Sequence, residues 1–307
     1  MTEFQIRVPA STSNLGPGFD SLGLALSLYL TVEVGTSNVS NTSFTFEGEG
    51  ANDLNSAAED NLIFRAMQYI AGREGVELKP ARFHVTNEIP LARGLGSSAA
   101  AILAGFSAFE VVTGTRLPEQ KLLDYATEME HHSDNVAAAL LGSFVVSSVD
   151  EAGRVCAIRM PFSNELRAIV AIPDFKVRTE EARGVVPMQV SRQAAVFNIQ
   201  RAALFVAALA ERRYELLREA MRDQLHQPYR APLVPGLEKV LQLQGIPGLV
   251  GAALSGSGPT VFALATDDIE SVKAALTACF TVSGIECAAY TLDIDTDGRR
   301  MNWQVNT

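Results

Sequence analysis

The segment Pro90-Leu91-Ala92-Arg93-Gly94-Leu95-Gly96-Ser97-Ser98-Ala99-Ala100-Ala101 constrains this chain more than any other. A strand-like stretch over 81–87 precedes it, and an alanine-rich apolar run follows from Ser98 to Thr113, where Gly114 stops it. Strand, glycine turn and buried helix, in that order, present the unpaired amides of a helix start to whatever sits above the turn. Gly94 and Gly96 remove side chains where a backbone would approach an anion. The helix dipole favours negative charge at that point, and Ser97 and Ser98 offer hydroxyls to a phosphate or a metal ion. No lysine follows the turn, so this is not the Walker arrangement. Charge must then be neutralised by the helix start, a magnesium ion and Arg93. Taken alone, such a turn is more often a packed and capped loop.

A chain of 307 residues is long for one hydrophobic core, which argues for two domains sharing a cleft. The polar turn at Asp150–Arg154 places their boundary between residues 1–155 and 156–307. Apolar residues at 47% and charged residues at 20% suit an ordered chain throughout. A formal charge of −10 with no basic run excludes nucleic acid as an expected partner. Met1-Thr2-Glu3-Phe4 lacks a signal-peptide profile and the apolar run Ala202–Ala210 is too short to span a bilayer, so a cytoplasmic protein with no membrane partner is expected. Cys156, Cys279 and Cys287 are scattered and odd in number, as reduced thiols would be.

Alternating patterns predict strands over 4–9, 28–34, 43–47 and 168–173, and a strand-loop-strand unit over 248–265. Helical patterns cover 60–71, capped by Asp60 or Asn61, then 118–130, then two helices within 191–223. Nothing is assigned beyond residue 265. Two further glycine-rich segments stand out. Pro9-Ala10-Ser11-Thr12-Ser13-Asn14-Leu15-Gly16-Pro17-Gly18-Phe19-Asp20 is expected as an irregular loop ending in a carboxylate, and Gly251-Ala252-Ala253-Leu254-Ser255-Gly256-Ser257-Gly258-Pro259-Thr260 permits close ligand approach.

These three segments, with the polar knot Glu130-His131-His132-Ser133-Asp134-Asn135 between the second and third, resemble the motifs of the GHMP kinases: galactokinase, homoserine kinase, mevalonate kinase and phosphomevalonate kinase. The resemblance covers nearly the whole chain. Its finer features are similar to the homoserine kinases: Asn14 to Gly23, Asp134-Asn135-Val136-Ala137, Thr179 to Pro187 with Ala182-Arg183, and Asp223 to Arg230 before Leu233-Val234-Pro235-Gly236.

The resemblance implies an α+β, two-domain GHMP kinase fold, with a ribosomal protein S5 domain 2-like N-terminal domain, a ferredoxin-like C-terminal domain, and ATP and acceptor in the cleft between them. It implies that Pro90, Leu91, Ala92, Arg93, Gly94, Leu95, Gly96, Ser97, Ser98, Ala99 and Ala100 form the phosphate loop, that Asn61 and Leu62 lie against adenine, and that Ser98 and Glu130 hold Mg²⁺. Glu128 is the alternative metal ligand. For an L-homoserine acceptor the pattern falls on Asn14, Asp20, Asn135, Arg183 and Arg230. Asp20 suits an α-ammonium, and the two arginines can form forked pairs with an α-carboxylate. A zwitterionic acceptor needs both signs, as a sugar does not.

Asn14, Ser98, Glu130 and Asn135 are the implied catalytic set, working without a dedicated base to give O-phospho-L-homoserine and ADP, a step of threonine biosynthesis. The family run of glutamate, glycine, histidine, proline, aspartate and asparagine is broken at His131 and Ser133. Zinc on Glu130, His131 and His132 is disfavoured, because adjacent histidines at a helix end point apart. Relatives are commonly dimers, so a homodimer is a further expectation. Another GHMP kinase with a different small hydroxyl acceptor, or a noncatalytic relative that binds nucleotide or amino acid, is the competing reading.

Overall fold

The computed structural model of the chain describes residues 2–37, 39–51 and 61–305. The chain opens with two long strands, β1 (Thr2–Asn14) and β2 (Gly18–Gly35), followed by β3 (Ser43–Gly48), α1 (Leu62–Glu74) and β4 (Arg82–Asn87). Next come α2 (Ser97–Thr113), α3 (Glu119–Glu130) and α4 (Asp134–Leu141), and then strands β5 (Phe144–Val149), β6 (Val155–Met160) and β7 (Arg167–Pro173). Helices α5 (Thr179–Gly184), α6 (Arg192–Ala210), α7 (Leu217–Ala220), α8 (Gln227–Arg230) and α9 (Leu237–Leu241) lead to β8 (Leu249–Leu254) and β9 (Val261–Ala265). The chain ends with α10 (Ile269–Thr281), β10 (Cys287–Leu292) and β11 (Arg300–Val305).

Two sheets organise these elements. The first is seven-stranded, in the order β11-β1-β2-β4-β3, with β5 branching from β2 and carrying β6. Its pairs are antiparallel except β3 with β4. Helix α2 lies against it as a nearly all-apolar rod, with Leu103, Phe106 and Phe109 fully buried, so hydrophobic burial rather than a polar–apolar split fixes its place. The second sheet runs β10-β7-β9-β8. With α10 between β9 and β10, and Val272, Leu276 and Phe280 facing Ile169 and Val261, this is the strand order of a ferredoxin-like layer. A cut between residues 155 and 156 falls at the start of β6, which pairs with β5 in the first sheet, and β11 returns to that sheet from the far end of the chain.

Several expectations change. Residues 9–20 are mostly strand: β1 continues to Asn14 and β2 begins at Gly18, with register shifts at Pro9/Ala10 and Ser13/Asn14 absorbing the irregularity. Ser11, Thr12 and Ser13 are buried there, held by partners far away in sequence. Residues 191–223 hold two helices of very unequal length, the long α6 and the single-turn α7. By length and composition α6 could cross a bilayer, although the run 202–210 alone is too short. Its Asn198 and Arg201 are nevertheless tied by hydrogen bonds to Asp223 and Glu219, so one face is committed to protein. Asn61 caps α1 by accepting from the Ile63 amide at 2.8 Å; Asp60 lies outside the described residues.

Candidate active site

A cleft opens where the turn before α2, the β1–β2 turn, the start of α4 and the β8–β9 loop meet. Close backbone approach builds it. Gly94 and Gly96 hold φ of 76° and 69°. A Cβ on Gly94 would stand 2.2 Å from the Ser255 carbonyl oxygen, and one on Gly96 2.2 Å from Ser11 Oγ. The three glycine-rich segments are bonded to one another: the Ser11 amide donates to the Leu95 carbonyl at 3.1 Å, Ser255 Oγ to the Gly94 carbonyl at 2.6 Å, and the Gly256 amide to the Ser13 carbonyl at 3.2 Å. Gly94→Ala therefore meets both a forbidden φ and a carbonyl with no room to retreat. We expect it to destabilise the protein by about 3 kcal/mol or more, read as a fall in the urea midpoint, whereas a parental midpoint would refute this account of the turn.

Asn14, Leu15, Asp20 and Ala92 hold φ of 68°, 45°, 58° and 55°, so non-glycine residues in the left-handed region crowd this cleft. Such strain persists only where the surroundings fix it, as they do at a built site.

Helix α2 starts at Ser97 with no side-chain cap, which leaves its first amides free for an anion. Ser98 Oγ and Glu130 Oε1 are in close hydrogen-bond contact. Burial of Glu130 raises its pKa, since the carboxylate is out of water, and His132, 3.8 Å away, pulls the other way. His132 Nδ1 lies 2.7 Å from Asp134 Oδ1. Burial works against the charged imidazole, but the hydrogen bond and charge of Asp134 outweigh it, and the His132 pKa stands above its ordinary 6.5. Burial likewise opposes ionisation of Asp134, yet His132 holds that carboxyl below its ordinary 3.8.

The pH dependence follows from these two directions. His132 adds stability in full below 6.5 and loses it as the pH rises through its raised value. Asp134 adds stability above 3.8 and loses it as the pH falls through its lowered value. The gap in Tm between the ligand-free parent and His132→Gln is therefore expected to be widest between 3.8 and 6.5 and to shrink on either side, in a pH series of thermal melts.

Asp20 faces Arg183 in a forked pair, with Arg183 Nη2 2.7 Å from Oδ1 and Nη1 3.2 Å from Oδ2. Burial of Arg183 pushes its pKa down, but Asp20 more than restores it, so the net shift is upward. Arg230 lies behind them, 2% exposed. It donates to the Ala182 carbonyl at 3.0 Å and the Gly256 carbonyl at 2.9 Å, and sits 5.2 Å from the centre of the Phe19 ring. Burial, then the charge of Arg183, lowers its pKa to about 10. Two cations and one carboxylate thus share one wall of the cleft.

A model described as the GHMP kinases N terminal domain matches residues 61–143, and one described as GHMP kinases C terminal matches residues 205–282. The homoserine kinase of Solibacter usitatus is 42% identical over 92% of this chain and 91% of its own length. The chain belongs to the homoserine kinase family of GHMP kinases. The homoserine kinase of Deinococcus radiodurans is 46% identical over 84% of this chain and 83% of its own. The crystal structure of homoserine kinase from Cytophaga hutchinsonii superposes with a TM-score of 0.84 at 28% identity, covering 98% of this chain and 97% of that one. Lactococcus lactis galactokinase, solved with galactose, gives a TM-score of 0.73 at 14% identity, covering 97% of this chain and 95% of that one, and shares the fold. As a GHMP kinase the chain is an ATP-dependent small-molecule kinase.

In this GHMP kinase the cleft gathers Asn14, Asp20, Ala92, Gly94, Gly96, Ser97, Ser98, Glu130, Asn135, Arg183 and Arg230. Leu95, Ala99 and Ala100 are buried in the core, so only their backbone can reach a ligand. Arg93 does not line the cleft: its guanidinium bonds the Pro173 carbonyl and, at 3.0 Å, Asp174, which makes it a strut to β7 and removes it from charge neutralisation in this structure. Pro90 lines a separate groove beside Glu88, and Leu91 packs toward Gly50.

Asn61 and Leu62 stand outside the cleft at the head of α1. Asn61 Nδ2 is buried without a partner among the described residues. Glu128 is half exposed and paired with Arg73. Asn14 and Asn135 have their side chains engaged. Asn14 donates to the Gly256 carbonyl at 3.1 Å and accepts from the Asp20 amide at 3.0 Å, while Asn135 accepts from Ser13 Oγ and donates to Ser11 Oγ, each at 2.9 Å. They clamp the loops of the cleft.

His132, Asp134, Thr179 and Ser257 also line it, although the sequence assigned none of them a site role. The first two stood in plain view within the polar knot; their mutual bond is what the pattern did not show. The carboxylates of Asp20 and Asp134 and the His132 ring converge closely enough to hold a cation, yet Asp20 is already paired with Arg183 and His132 with Asp134.

At His131 the break in the family motif has a visible cost. This exposed residue ends α3 with φ 68° and ψ 7°, where a glycine carries no Cβ penalty. His131→Gly should stabilise the protein by about 1 kcal/mol, seen as a higher urea midpoint at unchanged slope. A lower midpoint would show that the imidazole makes a compensating contact.

Proposed function

We propose that this kinase transfers the γ-phosphate of ATP to the side-chain hydroxyl of L-homoserine, giving O-phospho-L-homoserine, ADP and a proton. The observation that carries the reading is the Asp20–Arg183 pair with Arg230 behind it, set in the same cleft as the uncapped start of α2 and the Ser98–Glu130 contact. One carboxylate and two guanidinium groups suit an acceptor bearing both an α-ammonium and an α-carboxylate. Its hydroxyl is then directed to the helix start, where a triphosphate fits.

In this reading residues 1–155 supply the phosphate turn and Glu130, and residues 156–307 supply both arginines. Amides at the head of α2 and the Ser97 and Ser98 hydroxyls bind the β- and γ-phosphates. Asn61, whose buried Nδ2 has no partner among the described residues, and Leu62 lie toward adenine. The donor set of a serine hydroxyl and a buried carboxylate fits Mg²⁺, which Ser98 and Glu130 would hold and which supplies charge neutralisation on the phosphates.

Transfer needs alignment more than covalent help, so no side-chain base is assigned. The hydroxyl oxygen bonds to the γ-phosphorus as the bond to the β,γ-bridging oxygen breaks, and its proton leaves late, onto a phosphoryl oxygen. Asn14 and Asn135 act by fixing the loops that carry Asp20 and the third glycine segment.

The test is ATP-dependent phosphorylation of L-homoserine, read by mass, beside L-threonine and L-serine. Phosphorylated L-homoserine as the dominant product supports the reading. Preference for another acceptor overturns it, and nucleotide binding without product on any acceptor would favour a noncatalytic relative.

A further inference from the structure

His226 is fully buried and stands outside the cleft, yet its ring joins the turn that carries Asp20 to Arg230. It precedes α8, and Arg230 lies four residues on, so the two side chains share one face of that turn. Nε2 lies 2.7 Å from the Gly16 carbonyl oxygen, and Nδ1 lies 3.3 Å from Arg230 Nη1. A carbonyl only accepts and a guanidinium only donates, so each contact by itself requires the same state of the ring: a proton on Nε2 and a bare lone pair on Nδ1. Burial, which lowers the pKa from the ordinary 6.5, works in the same direction. Asp223, 3.6 Å from Nε2, pulls the other way, but its Oδ2 already accepts from the amides of His226 and Gln227 at 3.0 Å and 2.7 Å.

The lone pair on Nδ1 completes a clamp on Arg230. The guanidinium gives its Nε–H to the Ala182 carbonyl and its two Nη1 hydrogens to the Gly256 carbonyl and to His226. Nη2 makes no hydrogen bond among the described residues, and Arg230 lines the cleft. A guanidinium held on three sides cannot swivel, and Nη2 is what it keeps to offer a carboxylate. The same imidazole stacks on Phe19, with ring centres 5.2 Å apart and planes 20° apart, and Phe19 immediately precedes Asp20. Arg230 and Arg183 lie 5.2 Å and 5.8 Å from the centre of that phenyl ring. One buried ring therefore ties the carboxylate of the cleft to a guanidinium contributed by a distant segment of the chain.

We propose that His226 is a positioning residue for the acceptor, a buried imidazole that sets Arg230 against Asp20 at the spacing of an amino acid's two charges. It touches no substrate and acts through Arg230 and the turn before Asp20. The inference rests on the L-homoserine reading above for the identity of the acceptor, and adds what keeps the two charged ends of its site in register.

Steady-state kinetics of the parent and two variants test it. His226→Leu fills the space with neither nitrogen, whereas His226→Asn keeps an acceptor, its Oδ1, near the place of Nδ1. His226→Leu should raise the KM of L-homoserine by about tenfold to a hundredfold, with the KM of ATP and kcat within about twofold of the parent. His226→Asn should bring the acceptor KM back to within about threefold. A merely structural histidine would move both KM values together. An unchanged acceptor KM in His226→Leu, an equal rise for ATP, or a His226→Asn no better than His226→Leu overturns the proposal. Should His226→Leu fail to fold by circular dichroism, nitrogen NMR of the parent's imidazoles decides, with His226 assigned by the signals lost in His226→Asn. At pH 6.5 a proton on Nε2 alone is expected, and a proton on Nδ1 overturns the proposal. A parent that leaves L-homoserine unphosphorylated sinks the reading of the acceptor instead, and the split in KM is then measured on the hydroxyl acceptor that the parent does phosphorylate.

Discussion

Glu130→Gln should lower the turnover of L-homoserine by about a thousandfold while leaving the protein as stable as its parent or slightly more so. The two halves of that expectation share one cause. Burial raises the pKa of Glu130, so its ionised form is held at a cost in the folded state. An isosteric amide removes the cost and keeps the contact with Ser98, so the melting temperature should not fall. The amide is, however, a poor ligand for the Mg²⁺ that Glu130 would hold against the phosphates, and no lysine or free arginine in the turn stands in for that cation: Arg93 is bonded to Asp174 and the Pro173 carbonyl. Glu128→Gln is the control. Paired with Arg73 at the surface, Glu128 should matter by less than about twofold. Initial rates over a magnesium titration decide the matter; an active Glu130→Gln beside an inactive Glu128→Gln would reverse the assignment of the carboxylate.

The parts of this site that could be read from the chain are those whose physics is local. A glycine pair before an apolar helix declares a close backbone approach whatever surrounds it, and Gly94 and Gly96 meet the other two loops as their composition requires. Asn61 caps α1 through an amide two residues away. Ser11 to Ser13 misled because polar residues in a row suggest a loop, whereas here they lie in a buried strand. Two of them are satisfied by Asn135, more than a hundred positions on. Arg93 misled for the same reason: proximity to the turn implied a phosphate, and its partner lies on β7. Beyond residue 265, α10, β10 and β11 left weak patterns, since β11 is defined by antiparallel pairing with β1 at the opposite end of the chain. Long-range pairing is what single-sequence patterning does not encode.

Acceptors carrying only one of the two charges of L-homoserine should be turned over with kcat/KM lower by roughly thirtyfold to several thousandfold, corresponding to about 2–5 kcal/mol for a charge left unpaired. The argument starts from the state of the site before substrate arrives. Asp20 and Arg183 are bonded to each other, at 2.7 Å and 3.2 Å, so neither waits with an unsatisfied charge. A zwitterion can part them evenly: its ammonium takes the place of Arg183 at Asp20 while its carboxylate takes the place of Asp20 at Arg183, with Arg230 already charged behind it. The des-amino analogue would recover only the arginines and strand Asp20; the des-carboxy analogue would recover only Asp20 and strand Arg183. Asp20→Asn separates this exchange from a role for Asp20 as base. With the carboxylate gone, Arg183 is open, so the variant should lose L-homoserine by KM while gaining on the des-amino analogue, reversing the parental preference. A base would instead be missed equally by both acceptors, through kcat and with little change in KM. Turnover of the des-amino analogue by the parent within about tenfold of L-homoserine would mean that the pair does not open as a matched exchange, and that selectivity resides elsewhere in the cleft.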